Sequence, residues 1–67
     1  MEQILLIEFT KFLQIKNPEL LAKAPYLMVS KIPEGYGICS FAEGSDSFTA
    51  EDWEKMLACW QGFVQNH

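Results

Sequence analysis

The sequence predicts an α+β fold in which two helices precede a β-hairpin and an amphipathic helix closes the chain. Three observations lead to this prediction. Apolar residues recur with helical spacing near both ends of the chain, proline and glycine punctuate its middle, and β-branched and aromatic residues lie between those breaks. We expect the C-terminal amphipathic helix to pack on the hairpin and on helix 1.

The first helix is predicted over residues 3–16. Projected at about 100° per residue, five apolar side chains share one side of it, which we expect to face the core. These are Leu5, Leu6, Phe9, Phe12 and Leu13. Asn17 and Pro18 suit the N-cap and first position of a second, short helix over about Pro18–Lys23. Pro25 should prevent that helix from continuing, and its leucines should pack against the first helix.

The hairpin is predicted over residues 26–42. Its strand residues are Val29, Ile32, Tyr36, Ile38 and Phe41. Pro33-Glu34-Gly35 suits a type I turn with glycine in the left-handed position, and Gly35 and Gly37 are interpreted as turn glycines because no phosphate-binding pattern accompanies them. Two strands alone are marginally stable in water, so a helix should cover one face.

The closing helix has the best-specified start in the chain. Thr49 and Asp52 occupy the positions of a capping box, and Phe48 and Trp53 those of a hydrophobic staple. From Ala50 to about Gln65, one arc carries Trp53, Met56, Leu57, Trp60, Phe63 and Val64. Burying a large apolar side chain is worth about 1.5–3 kcal/mol, so we interpret this arc as core rather than as a bare partner-binding face. One of the two tryptophans should lie at the core margin, where its indole N–H reaches a partner or water.

Helix 1 carries a second apolar side. Ile4, Ile7 and Ile15 project away from the core-facing residues, with Lys11 among them, and one packed layer cannot bury both sides of a helix. These four residues are the candidate partner-binding site. The alternative is that Ile4 and Ile7 belong to a frayed first turn or wrap against the short second helix.

Composition narrows the function classes. A chain of 67 residues is expected to form one domain, residues 1–67. The chain contains nine carboxylate side chains, five lysines and no arginine, and its net charge is −4. Because nucleic acids are polyanions that proteins usually bind through clustered basic residues, nucleic-acid binding is disfavoured. Charges at Glu8 and Lys11 interrupt the first apolar run, which predicts neither a secretory signal nor a membrane span. We therefore expect a cytoplasmic protein with reduced thiols, in contact with neither nucleic acid nor membrane.

Residues with reactive side chains are few and dispersed. Cys39 and Cys59 show no CxxC or zinc-site spacing, so structural thiols are favoured over a redox switch, although a disulfide stays geometrically possible if they face one another. His67 lies at the end of the chain and is a poor general base. We expect most of the carboxylates at the start of the last helix to lie on its solvent-exposed face; these belong to Glu51, Asp52 and Glu54. Residues 43–52 lack EF-hand spacing, so calcium is disfavoured, and we expect no metal or other cofactor.

Taken together, these expectations favour a small cytoplasmic protein-interaction module without catalytic activity: an adaptor, an inhibitor or an accessory subunit. Its partner would be another protein or a second copy in a homodimer, bound through the isoleucine side of helix 1 or an exposed strand edge. The alternative is a small-ligand-binding or thiol-based redox protein that uses Cys39 and Cys59.

Overall fold

The computed structural model describes residues 1–24, 26–41 and 44–66. Its elements, in chain order, are α1 (Glu2–Lys16), α2 (Pro18–Lys23), β1 (Leu27–Ile32), β2 (Gly35–Ser40) and α3 (Ala50–Gln65). The α+β prediction is confirmed, with α3 packed on the hairpin and on α1. Within the described ranges, none of the helices combines the length and the apolar character that crossing a membrane requires.

The junction between α1 and α2 is built as expected. The side-chain oxygen of Asn17 accepts a hydrogen bond from the backbone N–H of Leu20 at 3.2 Å, and Pro18 takes the first helical position. Leu20 is buried and Leu21 half-buried against the core. The short helix therefore folds back on α1 and adds one turn of apolar surface.

β1 and β2 pair antiparallel, with Ile32 opposite Gly35 and Val29 opposite Ile38. The turn comprises Pro33 and Glu34, and Gly35 follows it with φ of +135°, a backbone conformation that favours glycine. The interpretation of Gly37 as a turn residue was wrong, because Gly37 lies within β2. A Cβ there would lie 3.3 Å from Cδ1 of Ile32, so a larger residue at this strand position would require the Ile32 side chain to shift slightly.

The hairpin has two unlike faces because side chains alternate along a strand. The inner face carries the buried pair Val29 and Ile38, with Leu27 and Tyr36 packed beside them. The outer face, which points away from the core, carries Met28, Ile32 and Cys39 within the strands, and Tyr26 and Phe41 continue its register.

The core lies between α1, α3 and the inner hairpin face. Its buried members are Leu5, Phe9, Leu13, Leu20, Ala24, Val29, Ile38, Phe48, Met56, Trp60 and Phe63. Phe9 is fully buried, and its ring meets that of Trp60 edge-on with centroids 5.0 Å apart. Phe63 contacts both Phe9 and Phe12. Aromatic pairs of this geometry join the first long helix to the last.

The prediction for the apolar arc of α3 was right for four of its six residues. Met56, Trp60 and Phe63 are buried, and Trp53 lies half-buried at the margin against Phe48, with ring centroids 6.1 Å apart. Leu57 and Val64 are exposed, against expectation. The apolar arc is wider than the contact with α1 and the hairpin, so residues at its edge stay in solvent.

Candidate interaction surfaces

Four residues form an exposed line along α1, which we call the α1 stripe: Ile4, Ile7, Lys11 and Ile15. Their spacing of three or four residues places them on one side of the helix, while Leu5, Phe9 and Leu13 fill the core from the other. Ile4, Ile7 and Ile15 are 57%, 56% and 80% exposed, and Lys11 is exposed too. The structure therefore shows the apolar second side that the sequence predicts.

Neither alternative account of these isoleucines fits the structure. The first turn of α1 is formed, since the backbone N–H of Leu5 donates to the carbonyl of Met1 at 3.0 Å. α2 packs on α1 through Leu20 and Leu21 and leaves Ile4 and Ile7 more than half exposed. The α1 stripe is an ordered helical surface.

A second apolar surface was missed by sequence reasoning. We call it the outer hairpin face: Tyr26, Met28, Ile32, Cys39 and Phe41. Tyr26 and Phe41 are 67% and 75% exposed, and the N–H of Phe41 donates to the carbonyl of Tyr26 at 3.2 Å, so the two residues lie directly across the hairpin from each other. The available signal was that both alternating faces of residues 26–41 are apolar, whereas one layer of helices covers only one face of a sheet.

The two cysteines lie on opposite sides of the hairpin. Cys39 is on the outer hairpin face, where its thiol lies 3.6 Å from the carbonyl oxygen of Met28. Cys59 packs against the core from α3, and burial raises the pKa of its thiol. Both are free and half-buried. The geometry does not bring them together as a redox pair.

Among the described residues, the most buried carboxylate is that of Asp52, which was wrongly expected on the solvent-exposed face of α3. It is 8% exposed because α2 lies against the start of α3. Its Oδ2 accepts from the backbone N–H of Thr49 at 3.1 Å and from Lys23 Nζ at 3.3 Å. The Thr49 hydrogen bond, assisted by Lys23, holds the pKa of Asp52 below its ordinary value. A carboxyl held ionised in this way serves as a structural link and a poor proton donor.

Two cavities on the described part of the chain are small or open. A groove of about 270 Å³ runs between Leu5, Tyr36 and Val64 at the turn end of the hairpin. Small-molecule sites usually enclose about 300–1,000 Å³ and bury most of the ligand, whereas this groove is open to solvent. A depression of about 80 Å³ lies beside Lys23 and Asp52. The described residues contain no group of three or more His, Cys, Asp or Glu side chains placed to hold a metal; His67 and Glu43 fall outside them.

The chain matches no family model, and neither a curated protein nor a solved structure matches it. Its function must therefore be argued from its own surfaces.

Proposed function

We propose that this protein is a small cytoplasmic protein-interaction module without catalytic activity, and that it binds its partner through the α1 stripe. The observation that carries the proposal is the exposure of Ile4, Ile7 and Ile15 on one side of a helix whose other side is fully used in the core. Exposed apolar side chains grouped on one side of a helix in this way are typical of contact sites.

The energy available from the α1 stripe suits a modest interaction. Full burial of an isoleucine is worth about 1.5–3 kcal/mol, so covering the exposed fractions of these three would contribute roughly 3–6 kcal/mol. Apolar anchors three or four residues apart match the way in which an amphipathic helix binds a hydrophobic groove. Lys11, in the middle of the stripe, would favour a partner with a carboxylate at the corresponding position.

Adaptors, inhibitors and accessory subunits act by presenting such a surface to another protein. The separation of the two thiols is consistent with a role of that kind. The separation of Cys39 from Cys59 gives the redox alternative no geometric support. The open groove beside Tyr36 likewise gives the ligand-carrier alternative little support.

The proposal is tested with Ile7→Glu, which introduces a charge into the centre of the α1 stripe. Gln61→Glu is the matched control, because it adds the same charge at an exposed position of α3. The full chain and both variants are immobilised, and proteins captured from host lysate are quantified by mass spectrometry. We expect a stoichiometric protein partner that Gln61→Glu retains and Ile7→Glu loses, with circular dichroism unchanged in both.

Equal capture by all three proteins would mean that the α1 stripe is not the contact. A thiol- or ligand-dependent turnover by the purified chain would contradict the non-catalytic assignment.

A further inference from the structure

The outer edge of β2 presents backbone groups in a pattern suited to another strand. Hydrogen-bonded and non-hydrogen-bonded pairs alternate along an antiparallel ladder. The hydrogen bond from the N–H of Phe41 to the carbonyl of Tyr26 shows that every second residue counted back from Phe41 bonds to β1. The N–H and C=O groups of Tyr36 and Ile38 therefore point outward from the hairpin. α1 packs beside β1, which leaves β2 as the strand farther from that helix.

β2 also lacks the features that usually protect an edge strand. Its sequence, GYGICS, contains no charged residue and no proline, and every residue from Gly35 to Ser40 is paired in unbroken register with β1, without a bulge. Edges of this kind are ready to accept a further strand. A two-stranded sheet is itself marginal, so a continuous four-stranded sheet would be the more stable arrangement.

The side chains that β2 and the residue after it place on the outer hairpin face become larger along the chain. Successive residues on that side are Gly35, Gly37, Cys39 and then Phe41, which follows the strand. Within the described residues, no heavy atom beyond Gly35 and its two chain neighbours lies within 4 Å of an ideal Cβ built there, so the space above that glycine is open. Phe41, at the other end, is 75% exposed.

We propose that β2 pairs antiparallel with β2 of a second copy of this chain, about a two-fold axis at Ile38. In that register Phe41 lies opposite Gly35 of the second copy and Cys39 opposite Gly37, so the large end of each strand covers the small end of the other. A two-fold interface makes each such contact twice. A glycine on a sheet surface is stabilised when an aromatic ring from the neighbouring strand covers it.

The area involved predicts a weak, reversible dimer. An aromatic side chain offers about 150–250 Å², so two Phe41 rings at 75% exposure contribute roughly 220–380 Å². Even with two strand edges added, the total lies at or below the lower end of the roughly 1,200–2,000 Å² of stable interfaces. Both copies carry a net charge of −4, so added salt should strengthen the pairing by screening their repulsion.

The experiment uses the full purified chain and two charge variants, Phe41→Lys and Tyr26→Lys. Tyr26 is the matched control, since it lies directly across the hairpin on the same face and is similarly exposed, but it precedes β1 and so lies away from the edge of β2. Sedimentation equilibrium from micromolar to millimolar protein should show the mass rising from 7.7 kDa towards twice that value. We expect Phe41→Lys to weaken the dimer by about tenfold or more and Tyr26→Lys to leave it nearly unchanged. In mixed isotope-labelled samples, nuclear Overhauser contacts should join the Phe41 ring of one copy to Gly35 of the other.

A chain that stays monomeric up to millimolar concentration overturns the proposal, and so does a dimer that Phe41→Lys leaves intact. Loss of the dimer in Ile7→Glu alone would place self-association on the α1 stripe instead. The proposed pairing does not involve that stripe, so Phe41→Lys should leave partner capture unchanged. Either proposal can therefore be contradicted without affecting the other.

Discussion

The ammonium group of Lys23 lies 3.3 Å from Oδ2 of Asp52 and joins the end of α2 to the first turn of α3. The same carboxylate closes the capping box with Thr49. One side chain thus connects a cap that is local in the chain to a contact between elements that are distant in sequence. Protonation of the Asp52 carboxylate should therefore lower the free energy of unfolding of the whole domain.

We predict that Asp52→Asn lowers the free energy of unfolding near pH 7 and has little effect in acid. The pKa of Asp52 in the folded protein is below its ordinary value of 3.8. Its stabilisation is therefore present above that value and lost as pH falls through the lowered pKa. Urea unfolding of both proteins at pH 7 and at about pH 2 measures the difference. Glu51→Gln serves as the control, because it removes one carboxylate from an exposed position in the same turn and leaves Asp52 in place. A constant gap at both pH values would contradict this account.

Thr49→Ala should destabilise the protein by about 1 kcal/mol, within a range of about 0.5–2 kcal/mol for the loss of an N-cap. The Thr49 hydroxyl accepts the backbone N–H of Asp52 at 3.2 Å, and alanine leaves that donor without its partner. Thr49→Ser keeps the hydroxyl and should retain most of the stability. Chemical denaturation of the three proteins tests the prediction, and equal loss in both variants would show that the hydroxyl is not what matters.

Trp60→Ala should cost about 3–5 kcal/mol, since it removes a buried aromatic side chain from the contact with Phe9. We expect a domain of this size to unfold after such a loss. Leu57→Ala, on the exposed side of α3, is the comparison and should cost far less. Thermal unfolding followed by circular dichroism distinguishes them. If the Trp60 variant melts with the wild type, the inside and the outside of α3 have been assigned the wrong way round.

The start of α3 could be predicted from the sequence because every group that forms it lies within residues 48–53. The capping box and the staple are both present as expected. The burial of Asp52 could not be predicted in the same way, since it depends on Lys23, which approaches only after α2 has folded back. The outer hairpin face was missed for a similar reason: alternation shows that a strand has two apolar faces, but tertiary packing decides which one the helices cover.

Gly62→Ala should stabilise α3 by about 0.5–1 kcal/mol, because glycine in a helix interior loses more backbone entropy on folding than alanine does. In the described structure, no heavy atom other than those of its chain neighbours and the surrounding helix backbone lies within 4 Å of the position its Cβ would take. Gly35→Ala should have the opposite sign, by about 1–3 kcal/mol, because φ at that position is +135°. Urea midpoints of the two variants provide the comparison. Stabilisation by both would mean that the turn does not require glycine.

Cys59 should react slowly with a thiol reagent at mildly alkaline pH. Burial raises the pKa of its thiol and so lowers the fraction present as thiolate. Reaction of the Cys39→Ser variant, in which Cys59 is the remaining thiol, should accelerate strongly when urea unfolds the chain. Stopped-flow absorbance with a disulfide reagent measures both rates. Rapid reaction of the folded variant near neutral pH would contradict this prediction and would support a redox role for Cys59.

The aromatic contacts of Phe9 have a consequence for biosynthesis. Trp60 and Phe63 are made more than fifty residues after Phe9, a delay of roughly 3–10 s at about 5–20 residues per second. During that interval the core side of α1 has no α3 to cover it, so the nascent chain exposes apolar surface on both sides of its first helix. Native packing of α1 must wait until the segment containing α3 has emerged from the ribosome.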